Sequence, residues 1–116
     1  RALRPAAPRL LHFQTRPTSY RVGVRDEVWN AAVRASPDGI VRDPGNGKIM
    51  SRSEPWDMSH LPSHEFRRIQ ADAAVLDLSR SQFLNIHNQP SLYRPEFVST
   101  NRSHMLEDMT PLFNGK

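Results

Sequence analysis

Apolar residues recur at helical spacing in one segment near the start of the chain. Val24, Val28 and Ala32 follow this spacing, which predicts an amphipathic helix over residues 24–35. The helix is expected to end before Pro37, because the residue that precedes a proline avoids helical backbone angles. One face of this helix should therefore form a wall of the core.

Two short apolar runs follow and flank a turn-forming segment. Residues 39–42 and 48–50 are the runs, and the segment between them reads Asp-Pro-Gly-Asn-Gly. Proline, glycine and asparagine between two apolar runs are typical of a β-hairpin. A hairpin alone is marginally stable in water, so this one is expected to pack on a helix.

The middle of the chain changes from strand-like to helix-like spacing. Apolar and polar residues alternate from Trp56 to Ser59, so a short strand is predicted to end at His60. Proline suits the first turn of a helix, and a second helix is therefore predicted to begin near Pro62 or Ser63. Its predicted buried face carries Phe66, Ile69, Ala73 and Leu76.

The last third of the chain carries signals for two more helices and an extended segment. Ser79 followed by Gln82 is a capping-box pattern, which predicts a third helix. Residues 92–98 are predicted to be extended, and a last helix is predicted to begin at Ser99 or Thr100. Short strands among several helices place the chain in the α+β class.

Length and charge narrow the class of protein. The chain has 116 residues, which suits one domain, and its 16 Lys and Arg against 12 Asp and Glu give a net charge of +4. All the basic residues except Lys48 and Lys116 are arginines, whose planar guanidinium suits phosphate oxygens. On charge alone, a nucleic-acid partner and a basic protein without one are equal alternatives. The absence of cysteine excludes disulfides, thiolate nucleophiles and Cys-based zinc ribbons.

The first part of the chain differs from the rest in pattern. Residues 1–19 are rich in arginine and proline and lack a sustained apolar period. They are predicted to be a linker or a loosely ordered arm from a larger protein, and residues 20–116 are predicted to form the functional domain. No apolar run reaches the length of a membrane-spanning helix, and no membrane partner is expected.

Histidines and carboxylates concentrate at the end of the predicted strand. His60, His64 and Glu65 do not form a zinc-protease motif, because the glutamate follows the second histidine and Pro62 would break the helix. A histidine at a strand end can instead act as a general base on water. A nearby carboxylate or imidazole could hold a divalent cation over a phosphate.

A second polar cluster lies near the end of the chain. Asn101 and His104 are three residues apart on the last predicted helix, and would share one face. Each of the singled-out residues also has an ordinary alternative role. The alternatives are a backbone-bonded loop histidine for His60, a solvated helix residue for His64, a helix-start carboxylate for Glu65, an edge carboxylate for Asp57 and a simple cap for Asn101.

The two clusters together carry a family resemblance. Residues 57–66, Asp-Met-Ser-His-Leu-Pro-Ser-His-Glu-Phe, resemble the signature D-M-G-H-x-P-G-x-E-[FWY] of the GH-E family. These are toxin nucleases of the HNH/endonuclease VII superfamily, found at the C-termini of bacterial polymorphic toxins. The similarity extends over roughly residues 20–107 and includes residues 43–48 and 93–104. Ser59 and Ser63 stand where the family usually has glycine.

The resemblance implies a small ββα-metal core, in which a short hairpin and a helix hold one divalent ion, with several added helices. It implies that His60 is the general base and that Asn101 orients or supports the site. Glu65 becomes a catalytic or metal-binding candidate or an organiser of the loop, and Asp57 and His104 become candidate metal ligands. The expected ion is Mg²⁺, with Mn²⁺, Zn²⁺ or Ni²⁺ as alternatives. Three arginines are candidates for nucleic-acid binding: Arg67, Arg68 and Arg102.

The function expected from the resemblance is that of a secreted antibacterial effector in bacterial competition. It would be a hydrolase, a metal-dependent DNase that acts in the cytoplasm of the target cell. An N-terminal delivery protein of a secretion system would carry it, and a cognate, acidic immunity protein would neutralise it in the producing cell. Three alternatives are an RNase, a catalytically silent nucleic-acid-binding module on the same fold, and an adaptor domain of a secretion apparatus.

Overall fold

The computed structural model of the chain describes residues 14–108. Its elements in chain order are α1 (Val24–Ala35), β1 (Asp57–His60), α2 (Phe66–Leu76), α3 (Arg80–His87), a 3-10 helix (Pro90–Leu92), β2 (Tyr93–Glu96) and α4 (Val98–Ser103). The predicted α+β class is confirmed. Within residues 14–108, no helix is long and apolar enough to cross a membrane.

The sheet joins two strands that are distant in sequence. β1 and β2 pair antiparallel, with Asp57 opposite Glu96 and His60 opposite Tyr93. A hydrogen bond of 2.8 Å from the Leu61 N–H to the Leu92 carbonyl oxygen extends the pairing past the end of β1. The pairing therefore fixes the end of β1, and His60 with it, against the start of β2.

The predicted hairpin at residues 39–50 forms its turn but hardly any ladder. A single antiparallel bridge joins Arg42 to Ile49. The predicted β-hairpin is therefore present in a reduced form, in which the backbone N–H groups of Asp43 and Met50 donate to the carbonyl oxygens of Lys48 and Val41 at 2.9 Å each. The Asp43 carboxylate holds the turn. Its Oδ1 accepts hydrogen bonds of 2.7 Å and 3.0 Å from the backbone N–H groups of Gly45 and Asn46.

The core lies between α1, the reduced hairpin and the sheet. Seven buried apolar residues form it: Val24, Val28, Trp29, Val41, Met50, Trp56 and Tyr93. The rings of Trp29 and Trp56 are 5.3 Å apart between centroids. Val41 and Met50 belong to the hairpin, so the expectation that it packs on a helix is confirmed.

α2 begins later than predicted, at Phe66 rather than near Pro62 or Ser63. The reason is local, because Ser63 has a φ of 69°, outside the helical region, and its N–H binds the Glu65 side chain. The predicted burial of Leu76 is also wrong, since this side chain is 68% exposed. A helix turns about 100° per residue, so Leu76 points away from the buried Ala71 and Ala74.

The last two helices follow their predicted signals closely. The capping box of Ser79 and Gln82 is present at the start of α3. α4 begins at Val98, slightly before the predicted Ser99 or Thr100, and ends at Ser103. Its early start has a distant cause, because the Oδ2 atom of Asp43 accepts a hydrogen bond of 2.7 Å from the Phe97 N–H.

Only the end of the predicted arm falls within the described residues, and residues 1–13 lie outside them. Gln14 contacts α2 and the loop that follows it. Its side chain donates to the Leu78 carbonyl oxygen at 3.3 Å, and its own carbonyl oxygen accepts from Gln70 at 2.7 Å. The division of the chain into an arm and a domain at residue 19 stays a prediction.

Candidate active site

His60 closes β1 and faces a cleft. The cleft has a volume of about 360 Å³, and Asn101, His104 and Glu107 also line it. The ring of His60 lies 4.6 Å from that of Tyr93, its partner across the sheet. The Nε2 atom is buried and has no hydrogen-bond partner within residues 14–108. The ring is therefore held by packing and by the sheet rather than by a hydrogen bond at Nε2.

Burial is the main influence on the charge of His60. Together with the positive charges of Arg16 and His87, it lowers the pKa of His60 to about 4 from an ordinary value of 6.5, and the opposing effect of Glu65 is smaller. The imidazole is therefore neutral at neutral pH. A neutral ring can accept a proton from water, which is what a general base requires.

Aromatic residues pack against the side of His60 that faces away from the cleft, and no sequence pattern predicted them. His87, which carried no predicted role, is buried and stacks on Tyr20 at 4.4 Å between ring centroids. The Tyr93 hydroxyl donates to the His87 carbonyl oxygen at 2.6 Å. The only available signal was the aromatic character of these residues, which does not distinguish a supporting wall from ordinary core.

Glu65 is buried at the start of α2, and hydrogen bonds occupy both of its carboxylate oxygens. Oε1 accepts from the Arg68 Nε at 3.0 Å, and Oε2 accepts from the N–H groups of Ser63 and Asp108 at 3.2 Å and 2.9 Å. Burial alone raises the pKa of Glu65, but these bonds together lower it below its ordinary value. The geometry therefore fits the role of loop organiser.

Asp57 lies on the other side of the strand from His60. It lines a neighbouring cleft of about 570 Å³ and accepts a hydrogen bond of 3.0 Å from the Asn101 Nδ2. The Arg102 Nε lies 3.8 Å from the same oxygen. Asn101 lines both clefts, so its amide links the Asp57 side of the sheet to the His60 side.

His104 sits directly after α4, with a left-handed φ of 59°. It therefore lies just beyond the helix rather than within it, but it lines the same cleft as Asn101. Its Nδ1 hydrogen-bonds to the Glu107 carboxylate, and both side chains line the His60 cleft. Sequence reasoning missed Glu107, although its position three residues after His104 was visible in the sequence.

The predicted metal ligands are not brought to one point. Within residues 14–108, no group of three His, Asp or Glu side chains could hold a metal ion. Asp57 lines another cleft, and the oxygens of Glu65 already accept hydrogen bonds. What remains in the His60 cleft is the imidazole–carboxylate pair of His104 and Glu107. The His104 Nδ1 and the Glu107 carboxylate are hydrogen-bonded to each other, so these two residues alone do not form a complete metal site. A cation such as Mg²⁺ takes waters and substrate oxygens as its other ligands.

The three predicted nucleic-acid-binding arginines differ in their surroundings. Arg67 and Arg68 both donate to the Asp108 carbonyl oxygen, at 2.6 Å and 3.0 Å, and Arg68 also pairs with Glu65. Arg102 is 75% exposed and lines the cleft. Of the three, Arg102 is the most available to a ligand, whereas Arg68 ties the end of the described chain to α2.

The two serines that replace the family's glycines have different consequences. Ser59 lies within β1 and is not among the residues with positive φ, so its backbone is unstrained. Ser63, with its φ of 69°, occupies the left-handed region that glycine adopts at lower cost. Its hydroxyl donates to the Asp108 Oδ2 at 2.5 Å, a bond that glycine could not make.

A comparison with protein families gives the class of this protein. The family described as "HNH/ENDO VII superfamily nuclease with conserved GHE residues" matches residues 38–107. The chain is thus a nuclease of the HNH/endonuclease VII superfamily, whose members are typically metal-dependent. Within that superfamily, it belongs to the GH-E family. The resemblance seen in the sequence is confirmed, although no solved structure is significantly similar to the chain.

Proposed function

We propose that this domain is a metal-dependent endonuclease that hydrolyses DNA, with His60 as its general base. The observation that carries the proposal is the position of His60, which packs on Tyr93 at the wall of a cleft that arginines also line. The lowered pKa of His60 keeps the imidazole neutral. Because Nε2 is buried, Nδ1 is the nitrogen that meets water. The substrate is a polyanion, which matches the arginine-rich chain.

The proposed reaction adds water across a phosphodiester bond. The water oxygen bonds to phosphorus while one of its protons passes to Nδ1 of His60. The bond from phosphorus to the bridging oxygen breaks, and that oxygen leaves with the electron pair and then takes a proton. Asn101 positions β1 through its hydrogen bond to Asp57. The exposed Arg102 binds a phosphate of the DNA backbone.

The ion belongs beside the His104–Glu107 pair rather than beside Asp57 and Glu65. These two residues offer one nitrogen and one carboxylate in the same cleft as His60. When bound, a divalent ion neutralises charge on the scissile phosphate and stabilises the departing oxygen. Mg²⁺ suits the carboxylate, and the imidazole also suits Mn²⁺, Zn²⁺ or Ni²⁺.

The biological setting is proposed on the resemblance of residues 57–66 to polymorphic-toxin nucleases. In that setting the domain is an antibacterial effector that enters the cytoplasm of a target cell through a larger delivery protein. An immunity protein with an acidic surface would cover the arginine-bearing cleft, because opposite charge speeds association and favours the correct partner.

A second candidate function is a catalytically silent nucleic-acid-binding module. Two observations favour it: the strained Ser63, and the absence within residues 14–108 of a cluster of three metal-binding side chains. This alternative predicts binding to DNA or RNA that survives both chelation and the His60→Ala substitution.

The test is cleavage of supercoiled plasmid with Mg²⁺ or Mn²⁺, with and without EDTA, and cleavage of an RNA transcript in parallel. His60→Ala is compared with His64→Ala, a matched control, since His64 is exposed and its ring bonds the Pro62 carbonyl oxygen at 3.2 Å. Cleavage by the wild type and His64→Ala, but not by His60→Ala or with EDTA, supports the proposal. Intact DNA and RNA in every reaction would reject it, and cleavage of RNA alone would make the domain an RNase.

A further inference from the structure

Residues 14 and 15, at the start of the described chain, are hydrogen-bonded to the rest of the domain. Arg80 donates hydrogen bonds of 3.1 Å and 2.8 Å to the Gln14 side chain and the Thr15 carbonyl oxygen. With the two bonds that Gln14 makes to Leu78 and Gln70, residues 14–15 are held against α2 and α3. The position of the next residue, Arg16, is therefore set by the fold.

Arg16 lies at the junction of the two clefts. It lines the His60 cleft and also the Asp57 cleft, and Met58 and Asn101 are the other residues that line both. Its guanidinium carbon stands 4.9 Å from the centre of the Phe66 ring, over the first residue of α2. A guanidinium stacked on an aromatic ring keeps its N–H groups free at the edge.

Arg16 differs from Arg68 and Arg102 in having no acidic partner among residues 14–108. Arg68 pairs with Glu65, and Arg102 lies near Asp57. Within the described part of the chain, Arg16 makes no ion pair, and its side chain is exposed at the cleft. Its charge reaches the catalytic histidine, because after burial it is the next cause that lowers the pKa of His60. A cation that lines the same cleft as the base is well placed for a substrate anion.

We propose that Arg16 binds a backbone phosphate of the nucleic acid between the two clefts, next to the phosphate that is cleaved. The inference rests on the proposed nuclease function and adds to it a contact from outside the family-matched residues 38–107. The guanidinium, presented by Phe66, donates to the phosphate oxygens. Residues 14–16 are thereby part of the substrate-binding surface rather than a linker.

The test measures binding of a short fluorescein-labelled DNA duplex to the full chain over a series of salt concentrations. All proteins carry His60→Ala, so that the duplex stays intact. Arg16→Ala and Arg16→Lys are compared with Arg34→Ala, which removes the same charge from a residue that pairs with Glu27 and lines neither cleft. Thermal unfolding of each variant monitors the fold.

Arg16→Ala should weaken binding about tenfold, the typical worth of a hydrogen bond to a charged group. The slope of log affinity against log salt should fall by about 1, since one phosphate contact is lost. Arg16→Lys should keep the slope and recover part of the affinity, because it keeps the charge without the planar fork. A structural role through Phe66 would not change the slope.

Two outcomes would overturn the inference. If Arg16→Ala matches Arg34→Ala in both affinity and slope, Arg16 makes no phosphate contact, even where the wild type cleaves DNA. If the parent protein binds neither DNA nor RNA, the inference fails together with the proposed function. If the parent binds and Arg16→Ala weakens binding, but the wild type never cleaves, the contact stands and the nuclease proposal fails.

Discussion

The Asp43 carboxylate and the Nε2 atom of His60 are both buried polar groups, but they differ in their hydrogen bonding. The Asp43 carboxylate is 1% exposed. It accepts hydrogen bonds from Gly45, Asn46, Phe97 and Thr100 at distances of 2.7 Å to 3.0 Å. His60 has a buried Nε2 without a partner within residues 14–108. Both oxygens of the Asp43 carboxylate thus have hydrogen-bond partners, whereas the His60 Nε2 has none among the same described residues.

Under the proposed mechanism, the difference separates a structural group from a catalytic one. Burial alone raises the pKa of Asp43, but its four hydrogen bonds reverse the effect and lower it. Asp43 thereby joins the reduced hairpin to the start of α4. An unsatisfied buried polar atom costs about 1–3 kcal/mol of stability, and proteins keep such a cost where function requires it. Satisfaction of hydrogen bonds, rather than burial, distinguishes the two roles.

The largest expected effect is on catalysis at His60. Loss of a general base typically costs about 10²–10⁴-fold in rate, so His60→Ala should lower kcat by this amount. Its melting temperature should stay close to that of the wild type, because no hydrogen bond at Nε2 is lost. Initial rates on plasmid DNA and thermal unfolding measure the two quantities. A variant that unfolds while the residual folded fraction stays active would make His60 a structural residue.

Substitution of Asp43 should instead have its main effect on stability. Asp43→Ala leaves three backbone N–H groups and the Thr100 hydroxyl without their acceptor. We expect a loss of about 3–5 kcal/mol in the free energy of unfolding. Asp38→Ala, which removes an exposed carboxylate paired with Arg42, is the control and should change stability little. Equal urea midpoints for the two variants would show that the Asp43 bonds do not hold the turn.

The hairpin turn itself depends on Gly45. A Cβ added at this position would stand 2.6 Å from the Thr100 Cγ2. Gly45→Ala should therefore destabilise the domain by about 1–3 kcal/mol, the usual cost of overpacking. The double variant with Thr100→Ser, which removes the methyl group and keeps the hydroxyl, should recover part of the loss. Without such recovery in urea unfolding, contact with Thr100 is not what requires glycine.

The smallest effect is on stability at mildly acid pH. The folded protein lowers the pKa of His60 to about 4 from an ordinary 6.5 and lowers the pKa of His87 as well. Between pH 6.5 and about pH 4 the unfolded state binds more protons than the folded state. The free energy of unfolding therefore falls as the pH decreases through this window. His60→Ala should lose less stability than the wild type between neutral pH and about pH 5. Parallel curves for the two proteins would show that His60 has an ordinary pKa.

The pH dependence of nuclease activity should also follow the protonation of His60. The neutral imidazole is the active form, so kcat/KM should fall as pH decreases through about 4, the pKa of His60 in the free protein. Bound phosphate is negative and favours the imidazolium, so the fall in kcat should come at a higher pH than the fall in kcat/KM. Coincident limbs in the two profiles would contradict a phosphate bound beside His60.

Local signals in the sequence predicted the elements whose causes are local. Residues 24–35 and the capping box of Ser79 formed as expected, because spacing and capping act within a few residues. The pairing of β1 with β2 was not predicted, since register between distant strands depends on tertiary packing. The late start of α2 at Phe66 was not predicted either, because the left-handed backbone of Ser63 is unusual for a serine and no spacing pattern reveals it.

The residues of the candidate site also fall into those that the sequence predicted and those that it did not. The sequence marked His60, Asn101 and His104, and the structure places all three on one cleft. It did not mark Glu107, or Arg16, which lay in the predicted arm. Arg16 reaches the cleft only because Gln14 and Arg80 fix the chain beside it. Histidine is rare enough to attract attention by type, whereas arginine is common here and acquires a role only through its position.

The antiparallel pairing of β1 with β2 also has a consequence for synthesis on the ribosome. Arg16, His60 and Glu107 come from the beginning, middle and end of the described chain, and α2 and α3 lie between the two strands. Contacts between residues so far apart form late in folding. A nascent chain therefore carries no complete cleft until residue 107 has emerged from the exit tunnel. Nuclease activity should begin only when translation of the domain is nearly finished.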